Sequence, residues 1–159
     1  MKYFFILFLF IGNYTFSQKP EQEIELVKRY KKSLLDKNQS QSIQTLKDLI
    51  RYHDDETQYH ISLGFIYQLQ GYRKLSKTHL EKGREFVKKQ LITKVLSPKE
   101  TMDHVVALCF AGYYSDCEEM FDLVEARFIQ DDYYKNYDFD TIKKLGERQR
   151  EIMKTYFKK

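Results

Sequence analysis

Three observations predict an all-α chain built as an array of antiparallel helix pairs. Apolar residues recur at spacings of three and four along most of the chain, the period of a helix with one buried face. Helix-start signals interrupt these stripes, the clearest being Ser97-Pro98-Lys99-Glu100. The joins are short, and short joins place consecutive helices antiparallel. The expected architecture is about three helical hairpins closed by a C-terminal capping helix.

The first helix opens at Pro20, a residue favoured in a first turn, and Glu21 and Glu23 complement its positive end. Its stripe is Ile24, Val27, Tyr30 and Leu34, and residues 36–40 break it. Ser40 or Ser42 is expected to cap the second helix, whose stripe is Ile43, Leu46, Leu49 and Ile50. Asp54 or Asp55 is expected to cap the third, which runs to Gln70 with Tyr59, Leu63, Ile66 and Tyr67 inward. Gly71 supplies the left-handed residue that ends it.

The fourth helix spans about Tyr72 to Leu91, with an extension toward Val95. At the fifth, Ser97 caps, Pro98 takes the first helical position and Glu100 completes a capping box. Its inward residues are Met102, Val105, Val106, Cys109 and Tyr113. Ser115 to Glu118 repeats the box before a stripe of Cys117, Met120, Phe121, Val124 and Phe128. A tyrosine-rich join, Asp131 to Asp138, leads to a last helix with Ile142, Leu145, Ile152, Met153 and Tyr156 inward. Helices one and two, three and four, and five and six form hairpins, and the seventh covers the open end.

The N-terminus has a different character. Lys2 precedes an apolar run from Phe4 to Ile11, which is shorter than the roughly 20 residues needed to cross a bilayer. It fits the apolar region of a signal peptide, with Thr15 and Ser17 small enough for a cleavage site. Residues 1–17 are therefore expected to be removed after Ser17, and residues 18–159 to form one domain in the periplasm or outside the cell. No other stretch predicts a membrane span. The formal charge is +4 with acids and bases interspersed, which excludes the clustered basic surface of a nucleic-acid binder. Abundant Tyr and Phe with two Pro suit a packed helical protein rather than a disordered one.

The most specific segment is residues 57–90. Leu63-Gly64 is followed by Tyr67, Gly71, Ser76, Leu80 and Gly83. This spacing resembles a tetratricopeptide repeat, a helix–turn–helix unit of about 34 residues. His60 stands where the repeat prefers Trp, and Ser76 and Gly83 where it prefers Ala. Gly112, Cys117, Phe121 and Val124 echo the pattern in the third hairpin. The resemblance implies a non-catalytic scaffold that binds a protein or peptide along the concave face made by the first helix of each hairpin. On this chain that face is Gln58, Ile61, Phe65, Gln68 and Leu69. Its apolar members imply an apolar helix or extended segment as ligand. Phe65 and Leu69 packing against a neighbouring hairpin is the open alternative.

Candidate chemistry is sparse. His53-Asp54-Asp55 with His60 is the one place where a metal or acid–base site is conceivable, and a metal needs three or four convergent ligands. The simpler expectation is a capped, solvated helix start. His79 and His104 are expected at the surface or in a seam. Cys109 and Cys117 flank the turn of the third hairpin, as a disulfide or as two buried thiols. Tyr133, Tyr134, Tyr137 and Phe139 plug the last hairpin or offer a binding surface. No phosphate-binding loop, nucleophile elbow or zinc-protease motif occurs. The expected function is an exported protein-binding scaffold with no cofactor and no metal. The alternatives are an inhibitor or immunity-type protein acting through the tyrosine-rich end, and a small hydrolase centred on His53, Asp54 and His60.

Overall fold

A computed structural model describes residues 20–93, 96–128 and 137–157. The described residues form seven α-helices and no strand. They are α1 (Glu21–Leu35), α2 (Gln39–Tyr52), α3 (Thr57–Leu69), α4 (Arg73–Thr93), α5 (Pro98–Ala111), α6 (Tyr114–Phe128) and α7 (Phe139–Phe157). None is long and apolar enough to cross a membrane. The expected signal peptide, residues 1–17, lies outside the described residues, as do Lys94 and Val95 after α4 and most of the tyrosine-rich join.

Two helices form the centre. Every residue of α3 from Thr57 to Tyr67 is buried, and α5 buries His104 through Phe110 without interruption. A helix apolar all round belongs inside, and α3 carries no charged residue at all. The core joins these two helices to one side of each of the others, with Phe65 and Phe110 in contact at 4.8 Å between ring centroids.

Close crossings hold the centre together. A Cβ added at Gly64 would stand 2.9 Å from the Leu80 backbone nitrogen, and one at Gly83 would meet Ile61 Cγ1 at 2.5 Å. Contact between α3 and α4 is the most extensive of any pair. The turn between them uses Gly71 at φ +80°, a conformation that costs glycine nothing.

The last helix packs chiefly on α5, more closely than α6 does. A Cβ at Gly146 would lie 2.7 Å from both Cys109 Cβ and the Phe110 backbone nitrogen. From there α7 runs on to the first helix pair, where Gln39 Nε2 donates to the Phe157 carbonyl at 3.0 Å. Its inward residues are Ile142, Gly146, Gln149, Met153 and Phe157. Leu145 and Tyr156 pack partly against the core, and Ile152 is half-buried.

The helix starts differ from expectation at three places. Asn38, not Ser40 or Ser42, caps α2, its side chain accepting from the Gln41 backbone N–H at 3.0 Å. Ser42 is buried and meets Ser33 of α1 at 2.8 Å instead. Glu56, not Asp54 or Asp55, precedes α3 and makes no side-chain cap bond. Ser115 lies inside α6, which begins at Tyr114, so the box expected there does not form. The Ser97–Glu100 capping box is present in full.

Candidate functional site

The face expected to hold a partner is largely interior. Gln58, Ile61 and Phe65 are 5%, 0% and 2% exposed. Ile61 is pressed against Gly83 and Phe65 against Phe110. Of the five residues only Gln68 is exposed, and Leu69 is half-buried. The physical reason is that α3 is packed by α2, α4, α5 and α7 together, so it has no free side.

The neighbouring helix presents a surface instead. Tyr72, immediately before α4, and Leu75, His79, Lys82 and Phe86 along it follow at helical spacing on one side. Tyr72 is 56% and Leu75 47% exposed, large values for such apolar side chains. Lys82 is exposed, and His79 and Phe86 are half-buried. Beneath them α3 contributes Tyr67, 5.8 Å from the His79 ring and 6.0 Å from the Tyr72 ring, and His60, 5.6 Å from Phe86.

At the middle of this face His60 and His79 meet. Their Nδ1 atoms are 3.0 Å apart, and His60 Nε2 lies 2.9 Å from the Asp54 backbone carbonyl. A carbonyl only accepts, so His60 carries its proton on Nε2 and its Nδ1 is an acceptor. His79 must then donate from Nδ1, and its Nε2 holds a lone pair. Burial, His60 and the positive charges of Lys82 and Lys47 push the His79 pKa down to about 4. Burial is also the main cause of the lowered pKa of His60, with Lys82 adding to it and Asp54 opposing. Both rings are therefore neutral at neutral pH.

The other histidines are engaged separately. His53 Nε2 pairs with the fully buried carboxylate of Glu23 at 2.9 Å, and the Tyr59 hydroxyl donates to the same carboxylate at 2.7 Å. This ties α1 to the α2–α3 turn. His104, 1% exposed, has Nδ1 2.7 Å from the Glu100 carbonyl and Nε2 2.5 Å from Gln90 Oε1. His53, Asp54 and His60 thus do not converge. Asp54 offers His60 its backbone, and His53 turns to α1. No group of three or more metal-ligating side chains occurs among the described residues.

Cys109 and Cys117 form a disulfide, with Cα atoms 5.4 Å apart. Beside it Arg150 of α7 donates to the Phe110 carbonyl from Nε at 2.8 Å and to the Cys109 carbonyl at 3.2 Å. A guanidinium there adds a donor at the Cys109 carbonyl, which also accepts from the Gly112 backbone N–H, supplies a donor for the Phe110 carbonyl, and complements the dipole of α5. Neither Arg150 nor Gly146 stands out in the sequence, because their partners lie far away along the chain. Arg84 and Lys88 of α4 both bind Asp116 of α6, and the Arg84 hydrogen bond is the main cause of that carboxyl's lowered pKa. Tyr133 and Tyr134 lie outside the described residues, while Tyr137 and Phe139 are half-buried, with Phe139 against Phe121.

An open groove of about 410 Å³ also lies between α1 and α2, lined by Leu26, Arg29, Arg51 and Tyr52 among others. No family model, no curated protein and no solved structure matches this chain.

Proposed function

We propose that this protein is an exported, non-catalytic protein-binding scaffold, its helix pairs stacked in the manner of tetratricopeptide repeats. The observation that carries the reading is the α4 face. Tyr72 and Leu75 are large, apolar and about half exposed, and they continue into His79 and Lys82 over an aromatic bed from α3. Exposed aromatics with a firm base make good contact surfaces, since little freedom is lost on binding. The support beneath is stiff, because Gly64 and Gly83 bring α3 and α4 to backbone contact. The partner-binding role assigned to Gln58, Ile61 and Phe65 passes to this neighbouring surface. The apolar run from Phe4 to Ile11 supports export.

The test is a photo-crosslinking residue at Leu75, and separately at Lys28 on α1, in the native host. The expected result is one discrete protein adduct at Leu75, absent at Lys28 and lost on Tyr72→Asp. No adduct at Leu75, or the same products at both sites, overturns the reading. N-terminal sequencing should find Gln18 first in protein recovered outside the cytoplasm, and an intact Met1 overturns the export part.

A further inference from the structure

We infer that α7 is the cover over the Cys109–Cys117 pair. A disulfide-carrying oxidant acts on the open α5–α6 hairpin before α7 docks, and the docked helix then closes the pair to thiol exchange. The inference is independent of what the α4 face binds, and adds a chemical step with its reactant.

The two cysteines sit on consecutive helices, 8 residues apart in sequence, and both are 0% exposed. The α5–α6 hairpin alone brings them together, and closing so short a loop costs little entropy. What shuts them in comes from elsewhere in the chain. Helix α4 reaches the start of α6, with Lys88 Nζ 3.0 Å from Asp116 and the Arg84 guanidinium 5.2 Å from the Tyr113 ring centroid. Helix α7 reaches the cysteines themselves. A Cβ at Gly146 would stand 2.7 Å from the Cys109 Cβ, so any side chain there would hold α7 off the bridge. One turn on, Arg150 donates to the Cys109 carbonyl at 3.2 Å and to the Tyr114 hydroxyl at 3.3 Å. Lys143 Nζ lies 5.4 Å from the Tyr114 ring centroid. Helix α4 precedes the hairpin in the chain and α7 follows it, so α7 is the last cover to arrive.

The chemistry needs an open path to sulfur. In the hairpin one cysteine loses its proton, and its thiolate attacks the oxidant's disulfide and expels one oxidant sulfur. The second cysteine, deprotonated in turn, attacks the protein sulfur of that mixed disulfide and expels the other. The protein gains one S–S bond, and the oxidant loses one and takes up two electrons. Two protons pass from the cysteines to solvent or to the oxidant's thiols. Compartments in which disulfides persist supply such oxidants. A redox sensor keeps its cysteines accessible. This pair is set once and then sealed.

The test uses residues 18–159, folded with the disulfide intact and exposed to dithiothreitol, with free thiols counted by alkylation and mass. Reduction should proceed through undocking of α7, so its rate should rise with urea at a slope less than about half that of global unfolding. Arg150→Met loosens α7 and should speed reduction about tenfold. Gly64→Ala strikes the α3–α4 crossing instead, and should change the rate less than about twofold. In the other direction, reduced protein returned to native buffer should react with oxidised glutathione at least about tenfold more slowly than the same chain in urea, and Arg150→Met should recover most of that loss. A slope equal to that of global unfolding, equal acceleration by Gly64→Ala, or oxidation in native buffer as fast as in urea overturns the inference. The urea slope of the unaltered chain decides alone if either variant fails to fold.

Discussion

His60 and His79 share a hydrogen bond between like atoms, Nδ1 to Nδ1 at 3.0 Å, on two helices that cross at glycines. Either ring could donate in such a bond, and the Asp54 carbonyl, by taking the His60 Nε2 proton, selects His79 as the donor. The pair is neutral because it is part-buried and flanked by Lys47 and Lys82.

The pair predicts acid sensitivity with a definite sign. In the unfolded chain both imidazoles bind protons near the ordinary 6.5, whereas folded His79 resists until about 4 and folded His60 is shifted in the same direction. Between those values the unfolded state holds more protons, so stability falls as pH is lowered. Asp116, depressed by its hydrogen bond from Arg84, extends the loss to pH below its ordinary 3.8. Asp103, raised by burial, works in the opposite sense just above 3.8. Urea midpoints measured from pH 7 to 4 should fall steadily. His79→Gln, which keeps an N–H donor but does not titrate, should flatten that curve. An unchanged slope would remove the pair from the account.

The glycines should rank by what surrounds them. Alanine gains about 1 kcal/mol over glycine in a helix interior, and overpacking a tight site costs about 1–3 kcal/mol or more. At Gly146 the added Cβ meets backbone on α5 at 2.7 Å, and a net loss near 3 kcal/mol is expected. Gly64→Ala meets the Leu80 backbone at 2.9 Å and should lose about 2 kcal/mol. Gly83→Ala presses mainly on the Ile61 side chain, and its cost should be smaller. Gly71 has open space around it, so only its left-handed backbone is strained, by about 1 kcal/mol. Chemical unfolding of the four variants gives the order directly.

Arg150 should matter more than a surface arginine does. Its guanidinium reaches the Phe110 and Cys109 carbonyls and lies 5.8 Å from the Tyr114 ring centroid. Arg150→Met keeps the aliphatic packing but abandons the carbonyls, at an expected cost of about 2 kcal/mol. Arg150→Lys restores a charge without the fork and should recover less than half. Full recovery by lysine would mean that the charge alone acts.

Removing the disulfide should cost about 2–3 kcal/mol, the chain-entropy value for so short a loop. Both cysteines are fully buried, so a mild reductant should leave the folded protein oxidised and act only on opening. Thiol titration before and after denaturation tests both statements. Cys109→Ala with Cys117→Ala supplies the stability difference.

What was legible in the sequence was local. The Ser97–Glu100 box, the Gly71 turn and the small residues at Gly64 and Gly83 need only near neighbours to be recognised, and each appears in its expected role. The repeat resemblance implies a partner face on Gln58, Ile61 and Phe65, and these are interior because α3 is packed on all sides. The absence of any charged residue from Thr57 to Leu69 was the better signal, since such a helix has no side to show to water. Gln58 and His60 look like surface residues by type, yet His60 is satisfied inside by Asp54 and His79. The docking of α7 on α5 was not legible. A lone glycine in a polar helix reads as a weakness until its distant neighbour is seen, and Arg150 carries no mark of the carbonyls it serves. The cysteine pair was open between bridge and thiols until the close approach of the two Cα atoms settled it.

The reach of α7 from α5 to Gln39 bears on how the chain is made. While the ribosome still holds that last helix, α5 lacks its most extensive neighbour and the first helix pair lacks its distant anchor. A nascent chain cannot complete its core early. It therefore stays loose, and locks only once the turns of α7 have emerged.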